Sequence, residues 1–310
     1  MSDAILLEEH RLIRAKYRIL AEIDRGAFGT VYRAAVVTPT RVERMVRGRE
    51  HVAVKVAHSP GLLRLPGHLQ HEATMLNLLN RHDVPGVPRL HWYGCIKERT
   101  TTPLGAVIVM NHYEQSLKQY VVAMAKELEL GRVGRLVAQV VRILDHIHSV
   151  CVVHRDLKPD NLMMKGDDVH LIDFGLATFY VDGVSGDHVT RRQTADCGGD
   201  GSSNTTIVGS PLYASYYVHA GQPHVRRDDL IQLGYIFLWL LRGMQLPWQA
   251  SNHHTTGTAH LNMCMEHKRL ANVSRFSAHA GYRHYMNAVY ALEFDTSPDY
   301  EQLVSFIGHT

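Results

Sequence analysis

Val153-His154-Arg155-Asp156-Leu157-Lys158-Pro159-Asp160-Asn161, followed twelve residues after Asn161 by Asp173-Phe174-Gly175, is the stretch on which the reading of this chain turns. Either cluster alone is a weak signal, because ordinary surface turns carry such residues; in this order and at this spacing they are specific. Upstream, residues 17–56 alternate and are rich in Val, Ile and Tyr, with a Gly-containing turn at 25–29, the pattern of antiparallel strands joined by a hairpin. Residues 38–50 are polar and basic and read as a long connection. Leu69, Ala73, Leu76 and Leu79 recur at helical spacing in a predicted helix over 68–80, and further strands are predicted up to 107–110. After Tyr113 the pattern turns helical, with helices predicted over 117–130 and 132–149. The apolar run 230–241 is too short to span a bilayer and carries Gln232, so it reads as a buried helix. Strands first and helices after make an α+β fold.

The chain has 310 residues, 45% hydrophobic and 20% charged, enough to bury a large core and to form two lobes or domains. A formal net charge of +3 argues neither for a nucleic-acid binder nor for an acidic tail. Cys95, Cys151, Cys197 and Cys264 are widely spaced without a CxxC pair, which fits a reduced, intracellular compartment: the cytoplasm, with the nucleus left open. Glu8, Glu9, His10, Arg11 and Arg14 interrupt the apolar residues of the amino terminus, which therefore reads as neither a signal peptide nor a membrane anchor. Residues 181–204 contain DGVSGD and CGGDGSSN and are expected to be a mobile loop.

The two clusters resemble the catalytic loop and the metal-binding segment of eukaryotic-type protein kinases. The resemblance implies a bilobal α+β fold with ATP and Mg2+ in the cleft. After an extension over 1–16, a small antiparallel β-sheet lobe with one regulatory helix spans 17–110, a hinge 111–114, and a larger, mainly helical lobe 115–310. Phosphoryl transfer needs an aligned hydroxyl and neutralised phosphate charge, with little covalent participation by the protein. Asp156 is accordingly expected to accept or orient the hydroxyl proton, Lys158 to approach the transferred phosphate, and Asn161 and Asp173 to hold the metal through hard oxygens. Ala53-Val54-Lys55 resembles the family's VAIK strand; it implies that Lys55 reaches the α- and β-phosphates and that Glu72, seventeen residues later on the following helix, pairs with it.

The Gly-rich run Asp24-Arg25-Gly26-Ala27-Phe28-Gly29-Thr30-Val31 keeps two of the family's three glycines but has Asp24 in place of the first. Gly26 and Gly29 are where bare backbone amides approach the phosphates. Asp24 falls nearer the ribose, where a carboxylate either weakens nucleotide binding or accepts a sugar hydroxyl. Ile23, Ala27, Phe28, Val31, Ala53 and Leu162 complete the implied nucleotide site, with Met110 as gatekeeper behind the adenine and Asn111 to Tyr113 offering backbone groups to the base. Asp229, five residues before Gly234, matches the buried aspartate that hydrogen-bonds the catalytic-loop backbone; Asp228 reads as a helix-start charge favoured by the dipole.

Three further stretches resemble the casein kinase I group: VPGVPRLHWYG at 84–94, GSPLYAS at 209–215 with the RRDDL and LRGMQLPWQ that follow, and YALEFDTSPDY at 290–300. This likeness covers about residues 17–306 and implies a monomeric Ser/Thr kinase acting on protein substrates without activation-loop phosphorylation. Leu212 stands where the group carries a basic, anion-binding residue, which puts its acidic or phosphorylated substrate preference in doubt. Arg226 and Arg227 are either a replacement anion site or a solvated turn. The activation segment, 176–208, is enlarged, and Thr194, Ser202, Ser203, Thr205 and Thr206 in it are candidate phosphosites for Arg155. His260, Cys264 and His267 share one face of a predicted helix, with His253 and His254 upstream, but no fourth zinc ligand is evident and the histidine excess reads as compositional. An active casein kinase I-like enzyme is the leading expectation, with no nucleic-acid or membrane partner. A pseudokinase scaffold is the alternative, and a small-molecule kinase a third.

Overall fold

Residues 11–26, 29–37, 50–57, 67–97, 103–124, 128–189, 207–249, 264–269 and 273–308 are described by the computed structural model. Ala27, Phe28, the five candidate phosphosites, His253, His254 and His260 lie outside these residues. The chain divides into two units: Met1–Asp83 with Val87–Glu114 and Asp173–Gly175, and Val84–Gly86 with Gln115–Ile172 and Leu176–Thr310.

The first unit is built on strand β1 (Leu12–Ile13), β2 (Tyr17–Gly26), β3 (Gly29–Val36), β4 (His51–Ala57), helix α1 (Gly67–Arg81), β5 (Leu90–Lys97) and β6 (Pro103–Asn111). The strands form one antiparallel sheet in the order β1-β2-β3-β4-β6-β5. The sheet thus begins before residue 17: Leu12 and Ile13 pair with Arg18 and Tyr17, and Ile13 is buried. The side-chain period of two explains the site face. Val52, Val54 and Val56 point into the cluster with Tyr17, Ile19, Tyr32, Val107 and Val109, so Ala53 and Lys55 point to the opposite face. On α1, Leu69, Glu72, Ala73, Leu76 and Leu79 are buried at three- and four-residue spacing, which puts a carboxylate into an otherwise apolar stripe.

The second unit contains β7 (Gln115–Ser116), α2 (Leu117–Ala123), α3 (Leu130–Ser149), β8 (Val152–Val153), β9 (Leu162–Lys165), β10 (Asp168–Leu171), β11 (Thr178–Phe179), α4 (Tyr216–His219), α5 (Arg226–Leu241), α6 (Ala280–Ala291) and α7 (Tyr300–Gly308). The predicted helix over 117–130 is two elements: α2, started by a capping box of Ser116 and Gln119, ends at Ala123, and Leu130 opens α3. Helix α5 is buried from Arg227 to Leu240, as expected of a helix apolar on every side after its first turn but for Gln232, and packs between α3 and α6. No described helix is long and apolar enough to cross a membrane.

Candidate active site

In the first unit Lys55 is the centre. Its ammonium lies 2.7 Å from Glu72 Oε2 and 2.9 Å from Asp173 Oδ1, joining β4, α1 and the Asp173–Gly175 segment. Burial opposes the ammonium, but the two carboxylates outweigh it and hold its pKa above the ordinary value. Burial pushes Glu72 up, with Lys55 pulling it back. Asp173 adopts a left-handed φ of 67°, a conformation that Asp tolerates better than most side chains.

Of the residues expected at the nucleotide site, Ile23, Gly26, Gly29, Val31, Ala53, Lys55, Met110 and Asn111 fall on this sheet. Val31 is opposite Lys55, and Ala53 is opposite Met110, which is buried. Ile23 sits in a register shift between Glu22 and Asp24 and is 47% exposed. Asp24 faces Val31 across the hairpin, and its carboxylate accepts the Arg25 N–H at 2.9 Å. At Gly29 a Cβ would come within 2.2 Å of Val56 O, so the absent side chain there is demanded by the protein's own β4 backbone; at Gly26 the space is open. Asn111 donates its backbone N–H to Arg89 O and accepts Arg89 N–H on its side-chain oxygen, so its backbone N–H is taken within the protein. Tyr113 is buried, and Leu162, in the second unit, is fully so.

In the second unit the loop after β8 is pinned by α5. Asp229 accepts the backbone N–H groups of His154 (2.8 Å) and Arg155 (2.9 Å), the loop amides that its burial required, and also His148 Nε2 (3.0 Å) and His224 Nε2 (2.8 Å). Burial opposes this carboxylate's charge, yet the two imidazole donors hold it well below the usual range. His148 is in turn kept neutral by burial, with Tyr300 Oη at 2.6 Å from its Nδ1. Gln232 accepts Leu157 N–H and donates to Arg155 O. The Asp156 N–H donates to His154 Nδ1, so His154 carries its proton on Nε2 and donates it to Ile172 O.

Asp156 is thereby held nearly buried with three donors on its carboxylate: Lys158 Nζ at 2.6 Å, Asn161 Nδ2 at 3.2 Å and the Ser210 N–H at 2.8 Å. Gly209 allows the last approach. Its φ is +86°, and a Cβ would lie 2.5 Å from Arg155 O. Because Asn161 turns Nδ2 toward Asp156 O and Oδ2, Oδ1 remains its hard oxygen donor; Asp173 keeps 38% of its side chain exposed while paired to Lys55. Oxygen donors of this kind fit Mg2+.

A family model described as a protein kinase domain matches residues 17–305. The chain belongs to the protein kinase domain family. The α+β fold, with an antiparallel sheet in the N-terminal part and helices in the C-terminal part, is that of the family. Kinases of this family transfer a phosphoryl group from ATP, with Mg2+, to proteins.

Asp228 is a helix-start charge, as its position implied: in the first turn of α5 and fully buried, its carboxylate accepts the N-cap Val225 N–H and the Ser215 hydroxyl. One pair of residues of this kinase reads differently in the structure. Arg226 and Arg227 are neither an anion site nor a solvated turn. Arg226 lies over the Tyr180 ring and donates to Asp295 O, while Arg227 lies 3.4 Å above the Tyr217 ring and donates to Leu292 O and Gln222. Among the described residues no group of three His, Cys, Asp or Glu forms a metal site. His148, His224, Gln232 and Ser210 escaped the sequence reading because each acts through partners 54 to 81 residues away, or, for His224, through a ring atom that pattern does not reveal.

Proposed function

We propose that the chain is an active serine/threonine kinase of casein kinase I type, intracellular and monomeric. The observation that carries the activity is the Asp156 carboxylate fixed by Lys158, Asn161 and the Ser210 amide, together with the intact Lys55–Glu72–Asp173 set. A binding scaffold has no need of either. The group assignment is supported by the stretches 84–94, 209–215 and 290–300 and by RRDDL where it meets Asp229.

Asn161 and Asp173 would hold Mg2+, and Lys55 would hold the phosphates. When bound, Mg-ATP supplies the phosphoryl donor and the neutralisation of its charge. Asp156 receives the hydrogen bond of the acceptor hydroxyl and orients its oxygen, with the Ser210 amide and Asn161 fixing the carboxylate plane. Lys158 balances charge beside it. With Leu212 in place of a cation, and Arg226 and Arg227 engaged internally, the acceptor preference is not expected to demand a phosphorylated or acidic residue upstream.

The test is radiolabel transfer from ATP with magnesium to a peptide library containing Ser, Thr and Tyr acceptors, with Asp156→Asn as control. Labelling of Ser/Thr peptides by the wild type alone is expected. Equal background from both proteins would establish the scaffold instead, and label on Tyr peptides would remove the Ser/Thr assignment.

A further inference from the structure

Lys268 is fully buried, and its ammonium donates to Pro211 O at 2.8 Å and to Ala214 O at 2.8 Å, with His219 Nε2 at 3.0 Å. An ammonium has three N–H donors and no acceptor, so these three acceptors satisfy it. The rings of Tyr235 and Trp248 lie 5.3 and 5.4 Å away. Their polar atoms close the same cage: Trp248 Nε1 donates to Leu212 O at 2.8 Å, and Tyr290 Oη, 2.6 Å from Tyr235 Oη, donates to the Lys268 carbonyl at 2.6 Å. The carbonyls of residues 211, 212 and 214 are therefore all taken by Lys268 and Trp248.

No carboxylate is among the partners of this ammonium in the described residues. The titratable groups that face it are His219 on α4, Tyr235 on α5, Tyr290 on α6 and Cys264 on its own turn. A buried cation without a counter-ion is costly, and what offsets the cost here is the set of charge-assisted bonds to the segment's backbone. The same segment reaches the catalytic loop: Ser210 N–H sits on Asp156, one peptide before Pro211, and Ser215 is tied to the buried Asp228.

We infer that Lys268 is a positioning residue for phosphoryl transfer: by holding the Pro211 and Ala214 carbonyls it fixes the segment 209–215, which brings the Ser210 amide to Asp156 and receives the acceptor peptide. This rests on the kinase reading above. Burial pushes the Lys268 ammonium down to about 7. Once its proton leaves, two N–H donors face three acceptors and the charge assistance is gone, so the grip loosens as pH rises through that value.

The full chain is assayed with a Ser peptide selected on the wild type, and amide hydrogen exchange is followed over residues 212–220. Lys268→Met keeps the side-chain length and removes the donors. It should raise KM for the peptide about tenfold while KM for ATP stays unchanged. A variant that had merely lost folded molecules would lower kcat and leave both KM values alone. Wild-type peptide KM should rise as pH passes through about 7, whereas the Met variant should be flat. Exchange at 212–220 should be faster in the variant, and this readout judges the inference even where the wild type transfers no phosphate. If Lys268→Met does not fold, His219→Ala, at a half-buried position, should raise peptide KM about twofold and lower the pH midpoint. Unchanged peptide KM in the folded variant, a pH-independent wild-type KM, or wild-type exchange protection over 212–220 overturns the inference.

Discussion

Lys55 and Lys268 are chemically identical side chains withdrawn from water, and their surroundings send them in opposite directions. Lys55 meets two carboxylates, so its charge is balanced and its pKa lies above the ordinary value. Lys268 meets carbonyl oxygens, an imidazole and aromatic rings, and burial brings it down to about 7. Dipoles orient a buried ammonium without balancing its charge, whereas carboxylates do both. The first arrangement suits a cation that must stay charged before a polyphosphate. The second suits one whose task is to hold a backbone in place.

The largest expected effect breaks the first arrangement. Lys55→Met removes the cation and leaves Glu72 buried without its partner, so Glu72 takes up a proton and Asp173 loses its tether. Steady-state kinetics should show kcat/KM for ATP reduced by a factor of about 10²–10³ or more. Glu72→Gln retains a hydrogen-bond acceptor and should lose less, which separates the pair's charge from its geometry.

Asp229 is the counter-case, a buried carboxylate that serves the loop and not the substrate. Asp229→Asn turns an amide N–H2 toward N–H donors and should destabilise the fold by about 3 kcal/mol in denaturant titration. Because the native pKa of Asp229 is depressed, its contribution is present above the unfolded carboxylate value near pH 4 and is lost as pH falls toward the native one. The acid limb of the stability curve should therefore be shallower in the Asn variant; an identical limb would remove Asp229 from the account.

What the sequence made legible follows this difference. Lys55, Glu72, Asp156, Asn161 and Asp173 stand in short local patterns whose chemistry demands those residue types, and the strand period alone puts Ala53 and Lys55 on one face. Asp229 was legible for the same reason. Arg226 and Arg227 were misread, because adjacent arginines look solvated until tertiary packing supplies Tyr180 and Tyr217. Lys268 had no local sign at all: its partners lie 49 to 57 residues away and are mostly backbone carbonyls, which no residue type announces.

A smaller effect sharpens the comparison from the side of stability. Lys268 titrates at about 7 in the native protein and near 10.5 when unfolded, so between these values the unfolded chain binds more protons. Stability of the wild type relative to Lys268→Met should then increase with pH across that window, by up to ~1.4 kcal/mol per pH unit. This runs opposite to the peptide affinity, which weakens over the lower part of the same range. Urea titrations of both proteins at pH 6.5 and 8.5 measure it, and a constant difference would show that the ammonium keeps its proton throughout.

The smallest effect belongs to a third lysine. Lys118 on α2 lies 3.2 Å from Asp160, with side chains 56% and 50% exposed. Water screens this pair, and ordering two mobile side chains offsets much of the attraction. Lys118→Ala should therefore cost less than ~1 kcal/mol in urea titration, and less again at high salt. If it cost as much as Asp229→Asn, exposure would not be what separates these ion pairs, and the contrast between Lys55 and Lys268 would need a cause other than the groups that surround each ammonium.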